Sequence, residues 1–182
     1  MPEYYNGVKE EINRTLDKYK TKLLNEIADV FIGKNIEKNE LGNNDGVQYL
    51  RARNIGISGI KQSDIFVDEK YIRKYAKYIL QSGDILLTRC FGQLKYVQVK
   101  DSDLPAIASV GLIVIRTVDV PEEYLYSYLT SETGKEIFKK QISLIKKGQT
   151  IEFIGINELK KLKIPIFDEK TMIEISKTED GL

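Results

Sequence analysis

Leu80-Gln81-Ser82-Gly83-Asp84-Ile85-Leu86-Leu87-Thr88-Arg89-Cys90-Phe91-Gly92-Gln93-Leu94-Lys95-Tyr96-Val97 decides the fold, because an apolar run there ends on a polar, basic turn instead of continuing as a helix. Ser82-Gly83-Asp84 carries turn chemistry, and residues 85–87 predict a short buried strand. That strand delivers Thr88, Arg89, Gln93 and Lys95 toward solvent around Gly92, and a second strand follows over 96–100. A loop of this kind suits a phosphate or a base edge and brings no catalytic group of its own.

Outward from this unit the chain stays strand-rich. Residues 27–32 predict a strand, and a polar loop over 33–46 contains Lys34 and the turn Gly42-Asn43-Asn44-Asp45-Gly46. Residues 47–55 alternate, with Val47, Tyr49, Arg51 and Arg53 on one face and Leu50 and Ala52 on the other. The run over 107–118 reads as a central buried strand, in which Gly111 marks a bulge or a close backbone approach. After Pro121 the period becomes helical: Tyr124, Leu125, Tyr128 and Leu129 share a face, as do Ile137, Phe138, Gln141, Ile142 and Ile145. Asn157 is expected to cap one more short helix.

Both ends predict helices. Val8, Ile12, Leu16, Tyr19 and Leu23 form a coiled-coil-like stripe on a helix over about residues 3–24. Its expected cover is a C-terminal helix capped by Asp168 and carrying Met172, Ile173 and Ile175. The predicted class is α+β: a twisted, mostly antiparallel sheet domain with later helices, flanked by N- and C-terminal coiled-coil-like helices.

Composition removes several chemistries. The 182 residues include no histidine and one cysteine, Cys90. Ser-His-Asp and Cys-His systems, imidazole zinc motifs and an internal disulfide are therefore excluded, and Cys90 reads as a small core residue. No Gly-x-x-x-x-Gly-Lys-Ser/Thr, no Gly-x-Gly-x-x-Gly and no Asp/Asn-Pro-Pro-Tyr/Phe occurs. Glu158-Leu159-Lys160 matches half of a nuclease site but falls on a predicted helix without an upstream Pro-Asp, so chance accounts for it. The reading is of a chain with no catalytic centre, no cofactor and no metal. No segment approaches the roughly 18 consecutive apolar residues of a membrane span, and the first residues lack a signal-peptide pattern, so a cytoplasmic location is expected.

Net charge is only +1, but residues 70–100 hold +6 and residues 134–149 hold +4, leaving −9 for the rest. Solvated helix faces explain single lysines. Two basic segments ending in glycine-containing turns point to a phosphate-contacting surface. Arg51 and Arg53 offer planar donor pairs for guanine or phosphate, against the alternative of ordinary surface arginines. Arg89, with Gln93 and Lys95, is a contact candidate against the alternative of pairing with Asp84. Lys146 and Lys147, with Gln149, flank Gly148 as an anion-binding nest or, equally, as a capped helix end. The candidate DNA-contacting set is thus Lys34, Arg51, Arg53, Arg89, Gln93, Lys95, Lys146, Lys147 and Gln149.

An ordered set of motifs carries a resemblance. Leu24-Asn25-Glu26-Ile27-Ala28 followed by Gly33, then Tyr49-Leu50-Arg51, then Gly83-Asp84-Ile85-Leu86, then Leu159-Lys160-Lys161-Leu162-Lys163-Ile164-Pro165 resembles a single target recognition domain of the type I restriction-modification DNA-specificity subunit. The resemblance implies a non-catalytic, prokaryotic, sequence-specific binder of double-stranded DNA. It implies residues 24–167 as the recognition domain, 1–23 as an N-terminal spacer and docking helix, and 168–182 as the start of a C-terminal spacer helix. Its implied partners are an N6-adenine methyltransferase subunit that uses S-adenosylmethionine and a restriction subunit, with self-pairing through the helices as a further expectation. A full specificity subunit carries two recognition domains, and this chain has room for one. Two readings stay open beside this one: a recognition module of another methyltransferase-nuclease system or a carboxylate-dependent enzyme, and a protein-interaction domain with an acidic partner.

Overall fold

The computed structural model describes residues 3–42, 46–90, 94–147 and 153–177. The elements begin with α1 (Glu3–Leu16), β1 (Thr21–Leu23), α2 (Leu24–Ile27), β2 (Ala28–Ile32), β3 (Leu41–Gly42), β4 (Val47–Leu50), β5 (Phe66–Val67), β6 (Ile85–Thr88) and β7 (Tyr96–Gln98). They continue with β8 (Ala106–Ala108), β9 (Leu112–Thr117), α3 (Tyr124–Thr130), α4 (Glu132–Ile145), β10 (Lys146–Lys147), β11 (Phe153–Ile154), α5 (Ile156–Leu159), β12 (Lys163–Pro165) and α6 (Glu169–Lys177). Two compact units result, one combining Met1–Asp29 with Thr117–Leu182 and the other being Val30–Arg116. The chain passes between them inside β2 and inside β9.

The Val30–Arg116 unit contains two four-stranded sheets, ordered β2-β9-β6-β7 and β3-β5-β4-β8. β6 runs antiparallel to both β7 and β9, whereas β4 and β8 pair in parallel, so the sheets are mostly but not wholly antiparallel. Period-two alternation sets the layers. Leu50, Ala106 and Ala108 face Leu86, Val97, Leu112 and Val114 in one core. Val47, Tyr49, Val67 and Ile107 point the other way, into a second core with Ile36 and Tyr75. Each leucine, isoleucine and valine among them contributes about 1.5–3 kcal/mol by leaving water. A 3-10 helix, Glu69–Tyr78, closes the second core with Tyr71, Ile72 and Tyr75. Tyr75 donates to the buried carboxylate of Glu40, which also accepts from Lys74 Nζ at 2.6 Å.

Two expected strands are shorter than their patterns suggested. The run over 47–55 ends as a strand at Leu50, because Arg51 N–H bonds the Asn54 side chain and residues Ala52–Asn54 turn as a 3-10 helix. The run over 107–118 is two strands, β8 and β9, divided by a turn in which Leu112 N–H donates to the Ser109 carbonyl at 2.9 Å.

In the other unit, α1 stops at Leu16 rather than running to residue 23. The backbone of Thr21–Leu23 is taken by antiparallel pairing with Lys163–Pro165, a tertiary partner that outweighs helix propensity. The stripe on α1 is covered by α4: Ile12 and Leu16 pack with Ile137, flanked by Val8 and Leu144. The C-terminal helix α6, capped by Asp168 through Thr171 N–H at 3.0 Å, packs on α3 instead. Ser131 caps α4, its Oγ accepting from Gly134 N–H at 3.1 Å. The buried Gln141 side chain then ties α4 to Lys163 by one donated and one accepted bond. Gly155, not Asn157, occupies the N-cap of α5, and Asn157 lies inside its first turn.

Candidate nucleic-acid interface

The end of β4 is built by one buried amide. Asn54 Oδ1 accepts from Arg51 N–H at 2.9 Å, and Asn54 Nδ2 donates to the carbonyls of Lys61 and Gln62, each at 3.2 Å. Lys61 N–H returns a bond to the Asn54 carbonyl at 2.8 Å. The segment from Arg51 to Gln62 is thereby closed on itself. Ser63 Oγ, donating to the Tyr49 carbonyl at 2.8 Å, sews the segment back to β4. Arg51 and Arg53 do not lie along a strand face as their spacing suggested. Both nevertheless reach Asp64, Arg51 Nη2 at 3.4 Å and Arg53 by a shorter bond. The Arg53 hydrogen bond, chiefly, holds the Asp64 carboxyl below the usual carboxylate range. Such exposed ion pairs add little stability, but they orient both guanidinium forks before any ligand arrives. Tyr49 takes no part in that face: it is buried, and its hydroxyl donates to the Lys34 carbonyl at 2.9 Å.

Three segments leave the sheets around the turn Ser109-Val110-Gly111. Ser109 N–H donates to the Leu50 carbonyl at 2.8 Å, Lys34 N–H to Ala108 at 2.8 Å, and Arg89 N–H to Gly111 at 2.9 Å. A Cβ on Gly33 would stand 2.2 Å from the Ser109 carbonyl oxygen, so only glycine lets the chain carrying Lys34 pass this close. Gly111, where the close approach was expected, has only ordinary contacts, the Ala52 Cβ at 3.9 Å among them. Thr88, expected at the surface, is buried. Its Oγ1 accepts from Lys95 N–H at 3.0 Å and donates to the Lys95 carbonyl at 3.3 Å, closing the base of the loop between β6 and β7. The backbones that carry Lys34, Arg51, Arg53, Arg89 and Lys95 are brought together in this way, while the Lys34 ammonium lies 5.6 Å over the Tyr78 ring. Arg53 and Lys95 also line one open cleft of about 480 Å³ with Lys61 and Ile57.

Other expectations fare differently. Asp84 is not a partner for Arg89; it receives a two-pronged bond from Arg116, Nε and Nη2 each at 2.7 Å. Cys90 is exposed rather than a core residue, since it follows the strand end. Lys146 and Lys147 belong to the other unit and form β10, antiparallel to β11, instead of a helix end. Gln93, Gln149 and the Gly148 nest lie outside the described residues.

Sequence reasoning passed over Lys61, Ile57 and the basic 3-10 helix. On that helix Lys70, Lys74 and Lys77 each precede a tyrosine, and their ammonium groups sit 4.9, 5.2 and 5.1 Å from the rings of Tyr71, Tyr75 and Tyr78. Arg73 is exposed on the same helix. The repeated basic–tyrosine pair was a visible signal. In the sequence alone it counts only toward the charge of residues 70–100.

Residues 17–172 match the model of the type I restriction modification DNA specificity domain. The chain belongs to this specificity-domain family. Among curated proteins it is similar to the MjaVIII type I restriction enzyme specificity subunit of Methanocaldococcus jannaschii, 30% identical over 190 residues, covering 99% of this chain and 44% of that one. The chain therefore spans less than half the length of that relative. Its fold is similar to the type I restriction-modification S subunit from M. genitalium, at 17% identity, covering 87% of this chain and 37% of that one, with a TM-score of 0.59. It is also similar to the HsdS subunit of Thermoanaerobacter tengcongensis, at 13% identity, covering 96% of this chain and 42% of that one, with a TM-score of 0.61. The type IIG restriction endonuclease BpuSI shares the fold too, at 10% identity, covering 97% of this chain and 28% of that one, with a TM-score of 0.66.

Three of the specificity-domain motifs hold the scaffold. Glu26 of the opening motif accepts from Leu23 N–H at 2.6 Å, and Leu24 N–H donates to the Leu162 carbonyl at 2.8 Å. The first and last motifs are thus one joint, closed by the β1–β12 pair. Gly83-Asp84 supplies the turn and the carboxylate for Arg116. Of the five clustered cations, Arg51 closes the Tyr49-Leu50-Arg51 motif, and Lys34, Arg53, Arg89 and Lys95 lie on segments between motifs.

Proposed function

We propose that this chain reads a DNA target for a type I restriction-modification assembly, within residues 24–167, and that the cationic end of the Val30–Arg116 unit is the reading surface. The observation that carries the proposal is that the three connections bearing Lys34, Arg51 and Arg53, and Arg89 and Lys95 meet by backbone hydrogen bonds at the Ser109-Val110-Gly111 turn, with Arg53 and Lys95 lining one cleft. Arginines oriented by a shared carboxylate suit bidentate base contacts, and mobile lysines suit phosphates. Gln93 would add a base contact from the loop that Thr88 closes. Lys146, Lys147 and Gln149 in the other unit would be phosphate contacts.

The chain performs no catalysis in this reading. An N6-adenine methyltransferase subunit and a restriction subunit dock on it, through 1–23 and 168–182 among other surfaces, in a prokaryotic cytoplasm. A length below half that of the specificity subunit it matches favours two copies, or a second domain, to read a split target; pairing of identical halves would give a palindromic one. The fold likeness to BpuSI supports a second reading, a recognition module belonging to another methyltransferase-nuclease. Mapping N6-methyladenine in host DNA with and without the gene tests the proposal. Loss of one methylated motif is expected, and an unchanged pattern in cells that express the partner methyltransferase would refute it. The purified chain alone should neither methylate nor cleave DNA, and co-purification with a separate methyltransferase subunit distinguishes the two readings.

A further inference from the structure

Ile57 is 97% exposed, whereas the other large exposed apolar side chains among the described residues, such as Val118 at 61% and Val110 at 42%, keep part of their surface covered. Its exposure is not a loose loop's accident. Ile55 and Ile60 form an antiparallel bridge, Ile55 is buried, and Ile60 packs against the core around Leu50. Gly56 N–H closes the turn by donating to the Gly59 carbonyl at 2.9 Å, and Gly59 takes φ 149°, a conformation side chains resist. Below the bridge, Asn54 locks both arms. Two isoleucines thus go inward to anchor a narrow turn while the third is held out in water at its tip.

The surroundings define the partner. Arg53, Lys61 and Lys95 line the cleft with Ile57, so the apolar tip shares it with three cations. A ligand matching both features is a polyanion with a stacked, apolar interior, and duplex DNA has that chemistry. We infer that Ile57 is a wedge that enters a base step of the target while Arg53, Lys61 and Lys95 hold the phosphates on either side. This rests on the DNA-reading proposal above. Apolar side chains of this size partly unstack a step, and the cost depends on the step, being least at flexible pyrimidine–purine steps. Ile57 would then confer preference for a step without hydrogen-bonding any base.

The test uses the full chain, wild type and Ile57→Ser, with a pool of randomised duplexes, followed by 2-aminopurine placed at each step of the selected site. The wild type should enrich a site and raise fluorescence at one step. I57S should lose that rise and the preference at that step, weaken binding to the selected site about tenfold from the lost apolar burial, and keep its salt slope. Ile57→Phe should restore the fluorescence rise. Equal enrichment and equal fluorescence for wild type and I57S would overturn the wedge while leaving DNA reading intact. A preference abolished by replacing dT with dU, without any fluorescence change, would also overturn it, in favour of a thymine-methyl contact. A wild type that enriches nothing would overturn both proposals. Because Ile57 touches solvent on nearly all sides, the melting curve of I57S should match wild type, and loss of binding through misfolding is checked directly.

Discussion

Breaking the Asp84–Arg116 fork gives the sharpest test of how the Val30–Arg116 unit is held together. Asp84 is 1% exposed and accepts two bonds from Arg116 at 2.7 Å and one from Gln81 N–H at 2.8 Å. Arg116 spends a further donor on the Ile79 carbonyl at 3.1 Å and lies 5.7 Å over the Phe31 ring. Removing one member of a buried pair costs about 3–5 kcal/mol, because the survivor keeps an uncompensated charge. The two deletions should not cost the same. The Arg116 side chain is 23% exposed and can turn toward water, so Asp84→Ala belongs near the lower bound, about 3 kcal/mol. Arg116→Met leaves a carboxylate with no route to solvent and belongs near the upper. Urea denaturation of the whole chain measures both, and a thermal midpoint lower by about 6–12 °C is expected for D84A. The double variant Asp84→Met with Arg116→Met buries no charge and should recover most of the loss. A loss below about 1 kcal/mol for D84A, or a double variant as unstable as the sum of the singles, would refute the reasoning.

Polar replacement of Ile12 or Leu16 should destabilise the other unit by about 2–5 kcal/mol each, since both pack on Ile137 of α4; an unchanged urea midpoint would show that the stripe does not carry that packing. Gly33→Ala forces a Cβ onto the Ser109 carbonyl, so it should cost about 1–3 kcal/mol and weaken DNA binding together with stability; full stability with normal binding would mean that the two backbones separate freely. The Glu40 carboxyl is held below its usual value of 4.5, first by the Lys74 hydrogen bond and then by Tyr75. A depressed folded-state value stabilises above about pH 4.5 and is lost as pH falls through the lower folded value. Glu40→Gln should therefore flatten the acid limb of the stability profile, and a limb identical to wild type would contradict it.

What was legible in the sequence was whatever depends on local pattern. The turn at Ser82-Gly83-Asp84, strand β6, the helical faces of α3 and α4 and the Asp168 cap all follow from periodicity and turn chemistry within a few residues. What failed depended on distant partners. Nothing near Thr21 announces that its backbone pairs with Pro165, so the N-terminal helix was drawn too long. Arg51 and Arg53 continue a clean strand alternation, and only Asn54, reaching to Lys61 and Gln62, turns them off it. Thr88 and Cys90 exchanged their expected roles for the same kind of reason, the position at which the β6–β7 hairpin closes. Of the candidate contacts, five were legible as a cluster only once the Ser109-Val110-Gly111 turn brought their backbones together. The basic residues of the Glu69–Tyr78 helix were visible as charge but not as a lysine–tyrosine surface.

In the proposed reading, the closures would let one scaffold carry different targets. Each projecting segment is shut at its base by groups that do not point at a ligand: Asn54 below Ile57, Thr88 below Arg89 and Lys95, Gly33 against Ser109. Because those bonds satisfy the buried polar groups locally, a tip residue can change without orphaning a donor or acceptor inside the fold. The cores behind them are built by Leu50, Leu86, Leu112 and Val114 and by Tyr49, Val67 and Tyr75, none of which reaches the tips. In the proposed reading, stability and DNA contact therefore fall to different neighbouring residues along the same short stretches of chain. Under that reading a closing residue such as Asn54 and the side chain three positions beyond it, Ile57, answer to different constraints, and substitution at the tip would change specificity while the fold persists.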